Sequence, residues 1–125
     1  MKLDWNVGLV AHLGIEFLEV APERVLARLQ VSDKLLTTTG TLHGGTLMAF
    51  ADTIGAAGTV ANLSEGQRTA TLESKTNFIS GCRAGWLTAE AKPIHKGKRT
   101  HVWETRITDE AGKLLSVTTQ TQMIL

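Results

Sequence analysis

One change of period constrains this chain more than any other feature. Beyond the polar, threonine-rich segment Thr37 to Thr41, the residues Leu47, Phe50, Ala51, Ile54, Gly58 and Ala61 recur at helical spacing, while the segments on either side alternate with a period of two. That predicts one long helix set among strands. Its interior is small-sided, with Ala49, Ala51, Gly55, Ala56, Ala57 and Gly58, and a glycine in a helix costs about 1 kcal/mol relative to alanine. Something must approach this helix closely to offset that. A curved sheet wrapped tightly round it is one cause, and a twin helix from another subunit is a second.

Before the helix, Ile15 to Val20 and Val25 to Val31 read as strands joined by the turn Ala21-Pro22-Glu23. After Gln67 come four more: Arg68 to Ile79, Trp86 to Ile94, Thr100 to Thr108, and Leu114 to Ile124, the last pair joined by Asp109-Glu110-Ala111-Gly112-Lys113. In Arg68 to Ile79, strict alternation sets Ala70, Leu72, Ser74, Thr76 and Phe78 on one face and Thr69, Thr71, Glu73, Lys75, Asn77 and Ile79 on the other. A short amphipathic helix through Leu3, Val7 and Val10 should precede all of these and stop at Gly14. Two strands, a helix and four strands, with no βαβ alternation, give an α+β class. The expected architecture is an antiparallel sheet curled round the helix, in a single domain over residues 1–125.

Several function classes are disfavoured. The formal net charge is +1, too weak a field to attract nucleic acid or an anionic membrane, so neither is an expected partner. The most apolar stretch, Leu42 to Leu63, is broken by His43, Asp52 and four glycines and falls short as a membrane span. Cys82 is the only cysteine, and Met1-Lys2-Leu3-Asp4 lacks the apolar run of a signal peptide, which together predict a reducing cytoplasm. His12, His43, His95 and His101 lack the spacing of a zinc site, so no metal is expected, and there is no glycine-rich phosphate loop or Gly-x-Ser-x-Gly elbow. Trp5, Trp86 and Trp103 read as core or interface residues.

What remains is His43-Gly44-Gly45 at the start of the long helix, with Asp52 nine positions after the histidine. The first N–H groups of a helix have no intrahelical partner and sit at the positive end of its dipole, so the Gly44 N–H is a candidate oxyanion donor. The competing reading is that the glycines ease a tight helix start and that His43 caps or packs. Asp52 within an Ala-, Gly- and Phe-lined helix favours chemistry, since a buried carboxylate needs a partner or a use. The solvated face of the helix is the plainer alternative. From Gly44 to Asp52 the rise is about 12 Å, whereas reacting groups converge near 3 Å from one centre. One chain cannot bring the two together. Two helices lying antiparallel about a two-fold axis would set the N-terminus of one against the middle of the other.

The run His43-Gly44-Gly45-Thr46-Leu47-Met48-Ala49-Phe50-Ala51-Asp52 resembles the helix motif of the hotdog-fold acyl-CoA thioesterases, in particular their phenylacetate-pathway and 4-hydroxybenzoyl-CoA branch. Ile94-His95-Lys96-Gly97-Lys98-Arg99-Thr100 and Asp109-Glu110-Ala111-Gly112-Lys113 are similar to that branch too, and the likeness runs from about His12 to the C-terminus. The resemblance implies a hotdog fold and hydrolysis of an aryl or medium-chain acyl-CoA to a carboxylic acid and coenzyme A. It makes Asp52 the nucleophile or general base, the partner chain's Gly44 the oxyanion donor, and His43 a neighbour that orients the thioester. Gly45, Thr37 and Thr53 are further substrate-contact candidates. No cofactor is implied, because coenzyme A is part of the substrate. A homodimer with shared sites, paired into a tetramer, is the assembly implied.

Two positions depart from the pattern: Ala56 stands where relatives often carry a serine or threonine that positions water, and Thr37 where some carry a glutamine. Thr53 or Thr59 could supply the missing hydroxyl. Lys96, Lys98 and Arg99 around Gly97 read either as a solvated basic hairpin or, on the resemblance, as the site for the phosphates of coenzyme A. The alternatives to a hydrolase are a non-catalytic acyl-CoA binder and a hotdog enoyl-CoA hydratase or dehydratase.

Overall fold

The computed structural model describes residues 3–125. Met1 and Lys2, the start of the stretch read as too short for a signal peptide, lie outside the described residues. A short helix α1 (Gly8–Leu13) leads into strands β1 (Glu16–Ala21) and β2 (Arg24–Gln30), one 3-10 turn (Asp33–Leu35), the long helix α2 (Gly44–Val60), and strands β3 (Thr69–Phe78), β4 (Trp86–Lys96), β5 (Thr100–Thr108) and β6 (Leu114–Ile124). The strands form one antiparallel sheet in the order β1-β2-β4-β5-β6-β3, curled round α2. This is the hotdog arrangement.

The concave face of the sheet has two halves of different chemistry. On β2 and β4, the register pairs Val25 with Ala91, Ala27 with Ala89 and Leu29 with Leu87, all fully buried. Alternate alanines leave room for Phe50, Ala51, Ile54 and Ala57 of α2, which are fully buried against them. On β6 the inward residues are Ser116, Thr118, Gln120 and Gln122, equally buried but polar. The apolar half therefore holds the helix, and the polar half stands beside its flank.

Of the two causes foreseen for the small residues of α2, the sheet accounts for Gly55 and Gly58. A Cβ at Gly58 would lie 2.5 Å from the ring of Trp103, and one at Gly55 would collide with the amide of Gln120.

Two expectations are corrected. The first helix begins at Gly8, not near Leu3, because Gly8 takes φ 55 and breaks the helical path upstream. Its stop at Gly14, with φ 75, is as expected. In β3, alternation is interrupted by a bulge between Thr71 and Glu73. Thr71 pairs with Gln122 and Ser74 with Gln120, so both face α2, where strict period two puts them on opposite faces.

A buried triad ties the helix to β5. The Trp103 indole N–H donates to Thr59 Oγ1 at 2.9 Å, and Thr59 Oγ1 lies 3.1 Å from His101 Nδ1. Because the indole can only donate, the threonine proton is directed to Nδ1, which suits a neutral imidazole. Burial, then the nearby charges of Lys96 and His95, hold the His101 pKa below its ordinary value. Below pH 6.5 the unfolded chain then takes up a proton that the folded chain refuses, so stability falls as pH drops through that window, by at most about 1.4 kcal/mol per pH unit. Thermal melts between pH 7.5 and 5.5 should show this decline, and His101→Gln should flatten it.

Candidate active site

The start of α2 is built by its own backbone. His43 is the N-cap, with φ −66 and ψ 132, and its Nδ1 accepts from the Gly45 N–H at 2.7 Å. The His43 N–H donates to Leu35 O, and Thr46 Oγ1 donates to the same carbonyl at 3.1 Å, clamping the helix start to the preceding turn. The capping reading of His43 is thus realised, with a chemical consequence. An acceptor Nδ1 leaves the proton of the neutral ring on Nε2, on an exposed side chain bordering a cleft of about 310 Å³ with His12, Lys34 and Ala49.

Gly45 spends its N–H on the cap. Gly44 does not: its N–H makes no hydrogen bond among the described residues. Gly44 lines a cleft of about 380 Å³ whose apolar walls include Leu42, Leu47, Phe78 and Ile79. A Cβ at Gly44 would sit 3.0 Å from the Phe78 ring, so glycine permits that ring to lie over the helix end.

Asp52 lies two turns further along. Its Oδ1 accepts from Thr71 Oγ1 at 2.7 Å and from Gln120 Nε2 at 3.1 Å, while Oδ2 has no partner among the described residues. A cleft of about 230 Å³ opens beside it, lined by Met48, Ala49, Thr71 and Ser74. The carboxylate is half-buried, neither sealed in the core nor on a free solvated face.

The remaining sequence-predicted residues fall elsewhere. Thr37 anchors a ring of hydroxyls in the loop before α2, with Oγ1 2.9 Å from Thr39 Oγ1 and 3.1 Å from Thr41 Oγ1. Thr41 in turn lines the Gly44 cleft. The Thr53 hydroxyl donates back to Ala49 O at 2.8 Å, and Thr59 is sealed against Trp103 and His101, so Thr59 cannot replace a hydroxyl at Ala56. Lys96 pairs with Glu23 and donates to Asn62 Oδ1, just past the C-terminal end of α2. Lys98 and Arg99, on the adjacent turn, form no ion pair among the described residues. Within one chain the candidates therefore occupy the beginning, the middle and the far end of the helix.

Sequence reasoning missed the partners of Asp52. The one signal in the sequence was the run of polar residues at alternate positions of β6, Ser116, Thr118, Gln120 and Gln122, which the fold buries alongside Leu115.

A sequence model of the thioesterase superfamily matches residues 39–116. The chain is 35% identical to a 1,4-dihydroxy-2-naphthoyl-CoA hydrolase of Listeria monocytogenes, over 89% of this chain and 90% of that protein. It is 32% identical to the 1,4-dihydroxy-2-naphthoyl-CoA hydrolase of Escherichia coli, over 94% of this chain and 87% of that one. Its fold matches the crystal structure of a thioesterase from Haemophilus influenzae with a TM-score of 0.89 at 33% identity, covering 94% of this chain and 82% of that one.

Proposed function

The chain belongs to the thioesterase superfamily and is a thioester hydrolase, and on that premise we propose how it works and on what. The substrate is an aryl or medium-chain acyl-CoA. The enzyme is a two-fold dimer, and each site joins the α2 N-terminus of one protomer to Asp52 of the partner subunit.

The observation that carries this reading is the pairing of a free Gly44 N–H with a free Asp52 Oδ2, each beside its own cleft. They stand about 12 Å apart along the helix, too far to share a carbonyl within one chain. The edge strand supports the geometry that closes this gap. β3 ends the sheet, and its outer hydrogen-bonding edge pairs with no strand among the described residues. Antiparallel pairing of two β3 strands centred on Ser74 sets Glu73 opposite the partner's Lys75, a favourable cross-strand pair. The same register carries Phe78, whose ring covers Gly44, to the Ala70–Thr71 segment that holds Asp52 of the partner subunit.

In such a site the Gly44 N–H, at the positive end of α2, stabilises the oxyanion as the carbonyl carbon becomes tetrahedral. His43 Nε2–H donates to the thioester and helps to orient it. Asp52 either takes a proton from water as that water adds to the carbonyl, or adds through Oδ2 and is released from the resulting anhydride by water. In both routes the C–S bond breaks, coenzyme A leaves as the thiol, and the acyl group departs as a carboxylic acid. Both need an ionised Asp52. The partner's Lys96–Arg99 turn then lies beyond the thioester, on the side where the phosphates of coenzyme A would run, with Lys98 and Arg99 free to bind them. The apolar cleft beside Gly44 and the naphthoyl group named for both relatives favour an aryl acyl group over a straight chain.

Release of free thiol from a panel of phenylacetyl-, benzoyl-, hydroxybenzoyl- and straight-chain acyl-CoAs tests the substrate class. Turnover should be fastest on the aryl members. No release on any member, from folded dimeric protein, would overturn the aryl or medium-chain substrate class, and an active monomer by light scattering would sink the shared site.

A further inference from the structure

We propose that Thr71 and Gln120 are positioning residues that lock the Asp52 carboxylate so that Oδ2 is its reacting oxygen. The inference rests on the catalytic role assigned to Asp52 above and adds the device that makes the carboxylate usable. An aspartate χ2 torsion is broad, so an unanchored carboxylate presents either oxygen over a range of angles. Here two donors converge on Oδ1, and Gln120 Nε2 also donates to the Asp52 backbone carbonyl at 3.2 Å. The side chain is gripped relative to its own main chain, and Oδ2 is left unbonded beside the cleft.

An ionised Asp52 carboxylate can only accept, so the Thr71 hydroxyl donates to Oδ1. With its proton so used, Thr71 Oγ1 accepts from Gln122 Nε2 at 2.6 Å, which turns Gln122 Oε1 towards the Thr69 hydroxyl, 2.9 Å away. That hydroxyl also lies 2.8 Å from Met123 O, and its single proton serves one or other of these two acceptors. Reversing Gln120 would set its Oε1 against both Asp52 oxygens, so Nε2 must face them. The chain Gln122–Thr71 and the separate arm of Gln120 therefore deliver donors to a single acceptor.

Stability alone does not explain Gln120. Its side chain is fully buried and its Oε1 has no hydrogen-bond partner among the described residues. Leaving a buried acceptor unpaired is unfavourable, whereas an apolar side chain of similar size would remove the deficit. Gln120 leaves one buried acceptor unpaired while its Nε2 serves Asp52, and what it contributes there is a hold on that residue.

The test compares Thr71→Val, Thr71→Ser and Gln120→Leu with wild type and Asp52→Asn, reading kcat, KM and melting temperature. A reacting group displaced by about 1 Å loses as much as about 100-fold in rate. Removing one of two anchors should therefore lower kcat about tenfold in Thr71→Val and in Gln120→Leu, with KM held within about twofold because neither residue is assigned a contact to substrate. Thr71→Ser, which keeps the hydroxyl, should recover most of the loss. Gln120→Leu should melt no lower than wild type, which a purely structural glutamine would not allow. Wild-type kcat in either Thr71→Val or Gln120→Leu, with Asp52→Asn inactive, overturns the positioning role and leaves the catalytic reading of Asp52 standing. So does a Thr71→Ser as slow as Thr71→Val, or a loss in Gln120→Leu that tracks a lowered melting temperature. Full activity in Asp52→Asn overturns both readings together.

Discussion

Asp52→Asn is expected to lower kcat for acyl-CoA hydrolysis roughly 1,000-fold, within the 10²–10⁴ contributed by a positioned acid–base group, while substrate affinity changes little. The argument turns on which oxygen is replaced. Asparagine can keep a carbonyl oxygen at Oδ1, where Thr71 and Gln120 still donate to it, and places its NH₂ where Oδ2 stood. Fold and cleft survive, but the exchanged atom can neither accept a proton from water nor attack a thioester. Thiol release measures the first quantity, and calorimetric titration with a non-hydrolysable thioether analogue measures the second. A binder has no turnover to lose, and a hydratase would act on the acyl chain without releasing thiol. Loss of both affinity and turnover would instead assign Asp52 to ligand binding.

Much of the fold was readable because its signals are local. The helical recurrence of Leu47, Phe50, Ala51 and Ile54 and the alternation in β2 and β4 are set by neighbours a few residues apart, and those elements stand where they were expected. Gly55 and Gly58 also announced a close approach, yet their occluding partners, Gln120 and Trp103, come from strands at the far end of the chain. The candidate site was legible in the same uneven way. His43, Gly44 and Asp52 lie on one continuous stretch, whereas the groups holding Asp52 arrive from 19 and 68 residues downstream. Thr71 was further hidden by the bulge, since a period-two reading assigns it to the wrong face of β3. Lys96 reads in sequence as one of three cations on a basic hairpin or phosphate site; only the folded chain brings Glu23 and Asn62 to it. Register, bulges and long-range pairing depend on which strands become neighbours, and periodicity carries no information on that.

The second large effect is expected from Gly44→Pro, which should lower kcat about 10²–10³-fold, the usual loss when one oxyanion donor is removed. Gly44 is the first residue of α2, the helical position at which proline is best tolerated because its N–H bonds to nothing within the helix. His43, with φ −66 and ψ 132, already has the extended conformation that a residue before proline requires. The added Cβ meets the Phe78 ring at 3.0 Å, and Gly44→Ala supplies the same Cβ while keeping the N–H. Alanine should therefore retain far more activity than proline; equal losses would mean that the cleft was blocked and no donor was at work. The two inactive variants together also decide where the site lies. In a heterodimer of Asp52→Asn with Gly44→Pro, one interface site joins the two damaged residues and the other joins an intact Gly44 to an intact Asp52. Random assembly of equal amounts should then restore about a quarter of wild-type activity, since half of the dimers are mixed and each mixed dimer has one working site of two. Sites confined to single chains would leave the mixture as inactive as its components.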